Sequence, residues 1–69
     1  MPKIIVPISN GFEEIEAISV IDICRRANIE VKIAAVEELL TVGAHNIKIQ
    51  ADCKIEDINS DDFDMIVLS

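Results

Sequence analysis

Lys3-Ile4-Ile5-Val6-Pro7-Ile8-Ser9 is almost continuously apolar, the pattern of a strand covered on both faces. A strand is predicted over Lys3–Ile8, with Pro7, which has no ladder donor, near its end or where no partner accepts. Asn10-Gly11-Phe12-Glu13 turns the chain. Ile15, Ala17, Ile18, Val20, Ile21 and Cys24 then recur at three- and four-residue spacings, which predicts a helix over Glu13–Ala27 with a wide apolar face. Asn10 and Glu13 form a capping-box-like start. Glu13, Glu14 and Glu16 in the first turn and Arg25 and Arg26 in the last complement the helix dipole, and Asn28 tolerates the left-handed conformation that closes helices. Glu30–Val36 reads as a second strand, so the strand–helix–strand unit should be a parallel crossover.

Beyond Val36 the pattern changes. Leu39–Val42 and Ile47–Gln50 flank Gly43-Ala44-His45-Asn46, and Ile47 and Ile49 alternate with Lys48 and Gln50. A short Gly-containing connection between such segments predicts an antiparallel hairpin leaning off the main sheet. Asp52–Asn59 is expected to be a loop with one helical turn around Ile55–Ile58, and Phe63–Leu68 a further buried strand with Met65–Leu68 as its core.

Composition narrows the class. Of 69 residues, 51% are hydrophobic, too many for disorder, and no apolar run approaches the ~20 residues of a membrane span. No secretory signal is visible after Met1-Pro2-Lys3. The net charge of −7 argues against nucleic acid and anionic membrane surfaces, which call for a basic patch. Two cysteines, Cys24 and Cys53, make no disulfide scaffold, and the composition suits a cytoplasmic protein. Three strands that look buried on both faces with one substantial helix leave a sheet face uncovered. Residues 1–69 are therefore expected to be the N-terminal portion of a larger α/β domain, incomplete at the C-terminus, with the remainder of that domain as partner.

The ordered segments Gly11-Phe12-Glu13-Glu14-Ile15-Glu16-Ala17, then Asp22-Ile23-Cys24-Arg25-Arg26-Ala27-Asn28-Ile29-Glu30-Val31, then Asp64-Met65-Ile66-Val67-Leu68 resemble the opening of the ThiJ/PfpI family, deglycase-like members of the class I glutamine amidotransferase-like superfamily. The likeness spans the chain but only about a third of a family domain. Asn28 departs from the usual glycine, and Ser69 stands where proline is common. The resemblance implies a flavodoxin-like, doubly wound parallel sheet, here as strand–helix–strand, hairpin, strand. It implies chemistry centred on a cysteine in a strand-to-helix elbow beyond Ser69, with a histidine also beyond it, a homodimer when intact, and no cofactor.

Matched residue by residue, the family's cysteine-supporting glutamate is Glu16. A protonated acid there can donate a hydrogen bond to a thiolate and favour the ionised sulfur. The bland alternative is that Glu13, Glu14 and Glu16 only complement the helix N-terminus. The resemblance favours the functional reading for Glu16, not for Glu13, and leaves Glu14 open. Cys24 reads as a core cysteine near the negative helix end, which disfavours a thiolate. Cys53 reads as a surface thiol in a loop. A lone His45 makes no metal set and reads as a solvated turn residue. Gly11 alone makes no phosphate loop, so no nucleotide cofactor is expected.

Three functions compete. The first is a cysteine-dependent ThiJ/PfpI protein, by resemblance a deglycase or glyoxalase, an amidohydrolase or peptidase, or a chaperone, with thiazole biosynthesis in older family naming. The second is a non-catalytic fragment or structural subunit. The third is a receiver-type signalling module, disfavoured because Ser69 occupies the place of the phosphoacceptor aspartate.

Overall fold

Lys3–Ile8 (β1) lies inside a four-stranded sheet because both of its edges and both of its faces find partners. The computed structural model describes residues 2–68, so Ser69, set above against a family proline and a phosphoacceptor aspartate, lies outside the described residues. β1 pairs in parallel with Glu30–Ala35 (β2) over all six residues, Lys3 opposite Glu30 through Ile8 opposite Ala35. Its other edge pairs in parallel with Met65–Ile66 (β6) at Ile4 and Ile5. Pro7 stands beyond that short ladder, where its missing donor has no acceptor to satisfy.

Between β1 and β2 the chain forms α1, Glu14–Arg26. Its inward stripe is Glu14, Ala17, Ile21 and Cys24, spaced three, seven and ten residues from the first. Ala17 and Ile21 are buried against Ile4, Val6, Ile8, Val31, Ile33 and Ala35, with Phe12 and Ala51 closing the ends of this core. The apolar face is narrower than expected: Ile15 is 81% exposed and Ile18 42%, because the helix rests on the sheet along that single stripe. α1 ends in a Schellman motif. Asn28 takes a φ of 62°, its N–H donates to the Arg25 carbonyl, and the Ile29 N–H donates to the Cys24 carbonyl.

The capping box does not form. Glu13 is the N-cap residue and makes no side-chain cap bond, because Asn10 is engaged elsewhere. Its Oδ1 accepts from the Val42 N–H, and its own N–H and Nδ2 donate to the Glu37 carboxylate.

Leu40–Val42 (β3) and Lys48–Gln50 (β4) form the expected antiparallel hairpin as a separate two-stranded sheet. Cys53–Lys54 (β5), expected in a loop, adds a parallel edge to β2 opposite Ala34 and Ala35. The sheet order is β5-β2-β1-β6. Asp52 anchors this edge: its N–H donates to the Ile33 carbonyl, its Oδ2 accepts from the Ile33 N–H at 2.8 Å, and Arg25 approaches the same oxygen at 3.6 Å. A 3-10 turn follows at Ile55–Asp57, as expected, and a second at Ser60–Asp62.

The last strand differs from its expectation. It is only Met65–Ile66, and Met65, Ile66 and Leu68 are exposed rather than buried. β6 is an edge strand, so its side chains gain cover from one neighbour only. On the sheet face away from α1, Ile5, Ile55, Ile58, Phe63, Met65 and Ile66 line an open apolar groove of about 450 Å³.

Candidate functional site

The β1–α1 turn and the tip of the hairpin meet edge to edge. The Gly11 N–H donates to the Val42 carbonyl at 2.8 Å, and the Ala44 N–H donates to the Phe12 carbonyl at 2.9 Å. This contact brings the first residue of α1 against residues 43–47. Glu14, left open by the sequence, is the buried polar group of the junction at 2% exposure.

Its carboxylate is held by the hairpin tip. Oε2 accepts from the His45 backbone N–H at 2.6 Å and from the Ile47 N–H at 3.4 Å. Oε1 lies 2.8 Å from His45 Nδ1. An ionised carboxylate only accepts, so the ring presents Nδ1–H and directs Nε2 outward. The His45 side chain is 72% exposed. It is solvated, as expected, but it is not an isolated turn residue.

Burial pushes the Glu14 carboxyl up, but the bonds from the His45 ring, from its own backbone N–H and from the His45 and Ile47 amides outweigh it and lower the pKa from 4.5 to about 2. The His45 imidazole moves up from 6.5, chiefly through its hydrogen bond to Glu14, then through the charges of Glu14 and Glu13, against a smaller effect of burial. The pair is thus an ion pair below the His45 titration and a neutral-imidazole hydrogen bond above it.

Glu13, Glu14 and His45 place ligand atoms within 4.8 Å of one another, a grouping not anticipated from sequence. They fit a cation poorly. Both Glu14 oxygens and His45 Nδ1 are already engaged, and the positive end of α1 lies behind them.

Glu16 stands one residue beyond Ile15 on the same first turn and is exposed. The structure does not join it to Glu14 and His45 through any side-chain hydrogen bond among the described residues. Cys24 is half-buried on the core side of α1, as a core cysteine should be, while Cys53 is half-buried in β5 rather than free in a loop; neither is in a disulfide. The signal for Glu14 was present in the sequence: it lies three residues before Ala17 and seven before Ile21, on the inward stripe. A charge in the first turn masked it.

The model of the DJ-1/PfpI family matches residues 2–69. The chain belongs to the DJ-1/PfpI family. It is 46% identical over 68 residues to protein DJ-1 homolog A of Arabidopsis thaliana and 38% identical over 68 residues to homolog B. Each match takes in 97% of this chain but only 17% and 16% of those relatives. Among solved structures, Toxoplasma gondii DJ-1 in an oxidized form superposes with a TM-score of 0.94 at 35% identity, over 99% of this chain and 38% of that one. The parallel α/β arrangement is thus the flavodoxin-like arrangement of DJ-1/PfpI proteins, and the resemblance carried by residues 11–17, 22–31 and 64–68 is borne out. No helix among the described residues is long and apolar enough to cross a membrane.

Proposed function

We propose that this chain supplies the acidic helix start of a cysteine-dependent DJ-1/PfpI protein, in which Glu16 donates a hydrogen bond to a thiolate contributed by residues outside positions 1–69. The family match over residues 2–69 carries the reading. Its support in the structure is that Glu16 is exposed on the first turn of α1, so its carboxyl is available to a group arriving from outside the chain, whereas Glu14 is consumed by the hairpin. A carboxylic acid that shares its proton with sulfur keeps the sulfur anionic and nucleophilic. The substrate class proposed for such a thiolate is a small electrophilic carbonyl compound, as a deglycase or glyoxalase would take, with amidohydrolase or peptidase action as the variant in which the carbonyl is an amide. The protein is proposed to act in the cytoplasm as a homodimer. The remainder of its domain is its nearest partner, a proposal supported by the open groove over Ile5 and Phe63.

The test is thiol alkylation rate against pH in the full-length protein and in Glu16→Gln, Glu16→Leu and Glu13→Gln variants. Glu16→Leu should raise the apparent pKa of the reactive thiol most, because it removes the donor. Glu16→Gln should raise it less, and Glu13→Gln should leave it near wild type. An unchanged profile in Glu16→Leu, or an equal shift in Glu13→Gln, returns Glu16 to a first-turn charge.

A further inference from the structure

We propose that the β3–β4 hairpin is a proton-sensitive arm, clamped onto the first turn of α1 by an ion pair between His45 and the buried Glu14, and held there more loosely when His45 is neutral. The hairpin is a discrete element, a two-stranded sheet outside the main sheet. Among the described residues its tip is tied to the rest of the molecule by the Gly11–Val42 and Ala44–Phe12 backbone bonds, by the Asn10 side chain on Val42, and by the Glu14 carboxylate. Of these, only the Glu14 contact contains an imidazole, the side chain whose ordinary value lies nearest neutrality.

The geometry makes this contact a clamp rather than a surface ion pair. The Glu14 carboxylate is 2% exposed, and its side chain lies directly on Gly43, leaving no room for a Cβ. It has nowhere else to go while the hairpin is docked, so withdrawing the arm would leave it a different environment. The His45 ring is largely open to water, so it exchanges its proton freely without the arm moving. The charges that act on the ring, Glu14 in contact and Glu13 beside it, both belong to the α1 end. Among the hairpin's own side chains, Lys48 carries the charge of β4, and the β1–α1 turn at residues 10–12 carries none. Both acting charges are negative, so protonation always tightens the arm.

The sign follows from linkage. A histidine whose pKa is higher in the docked state contributes stabilisation that is complete below its free value and is lost as pH rises through the docked value. The docking equilibrium should weaken on the order of tenfold for each unit separating the two values. This device does not depend on the role proposed for Glu16.

The experiment is amide hydrogen exchange by NMR on the full-length protein between about pH 5 and 9, with the His45 ring titrated in the same samples. Protection of the His45 and Ile47 amides is expressed relative to Val6 and Ile33 of the main sheet, which cancels the base catalysis common to all amides. Wild-type protection should fall across the His45 titration by the fold-change its pKa elevation dictates. His45→Gln removes an exposed, titrating group without opening the core and should show a flat ratio. Glu14→Gln should return the His45 titration toward 6.5 and flatten the ratio as well. A flat wild-type ratio, or a pH step that persists in His45→Gln, would overturn the proposal.

Discussion

Gly43 lies directly beneath the carboxylate of Glu14: a Cβ at position 43 would overlap Oε2 and stand 2.5 Å from both Cδ and Cγ. Gly11, by contrast, has open space around it and is required for its φ of +90°. The two glycines therefore serve the same junction for different reasons, one steric and one conformational.

Gly43→Ala should displace either Glu14 or the hairpin tip, at about 1–3 kcal/mol for overpacking. Gly11→Ala should cost about 1–2 kcal/mol through left-handed strain alone. Urea melts give the losses, and the His45 titration separates the causes. Gly43→Ala should return it toward 6.5, whereas Gly11→Ala should leave it elevated.

Acid stability should depend on Glu14. Its pKa is lowered to about 2 in the folded chain against 4.5, so its contribution is complete above about pH 4.5 and is lost as pH falls through about 2. Glu14→Gln should be less stable than wild type at pH 6 and should show a smaller fall in melting temperature between about pH 5 and 2.5. Parallel melting curves across that range would contradict the assignment.

The end of α1 offers a simpler test. Asn28 holds a φ of 62° in the Schellman motif. Asn28→Gly should change stability by only a few tenths of a kcal/mol, whereas Asn28→Val, β-branched in a left-handed site, should cost about 1–2 kcal/mol. Chemical denaturation midpoints rank the three proteins.

At the β5 edge, Asp52→Ala should cost more than Arg25→Met. The aspartate satisfies the Ile33 N–H, and leaving such a part-buried donor unpaired costs about 1–3 kcal/mol. Arg25 contributes a bond to the Val31 carbonyl at 3.1 Å and an exposed ion pair, together worth about 1 kcal/mol. Equal losses in the two variants would show that the ion pair, not the amide, is what Asp52 supports.

A peptide of residues 1–69 should not sediment as a compact monomer at low micromolar concentration. Ile5, Ile55, Ile58, Phe63, Met65 and Ile66 line its open groove, and Met65, Ile66 and Leu68 are exposed along the edge. A contiguous apolar surface of this kind drives association. A cooperatively melting monomer is the contrary result.

The order of elements was legible from local patterns. Continuous apolar runs marked β1 and β2, helical spacing marked α1, and alternation around Gly43 marked the hairpin, because each depends on neighbours a few residues away. β5 was not: Cys53-Lys54 has no strand pattern, and its pairing with β2 continues from Asp52, whose N–H donates to the Ile33 carbonyl.

The site divides along the same line. Sequence by itself determined that three glutamates would crowd the first turn of α1 and that a histidine would occupy the hairpin tip, since helix phase and turn position are local properties. Helix phase also placed Glu14 on the stripe of Ala17 and Ile21, but only the tertiary structure decided what its carboxylate meets. Residues 14 and 45 are 31 positions apart, and nothing local relates them. The bonds from Gly11 to Val42 and from Ala44 to Phe12 bring the two loops together. Once there, Glu14 on the buried stripe had to find donors, because an unpaired carboxylate cannot remain in a water-excluded junction; the hairpin tip supplies them.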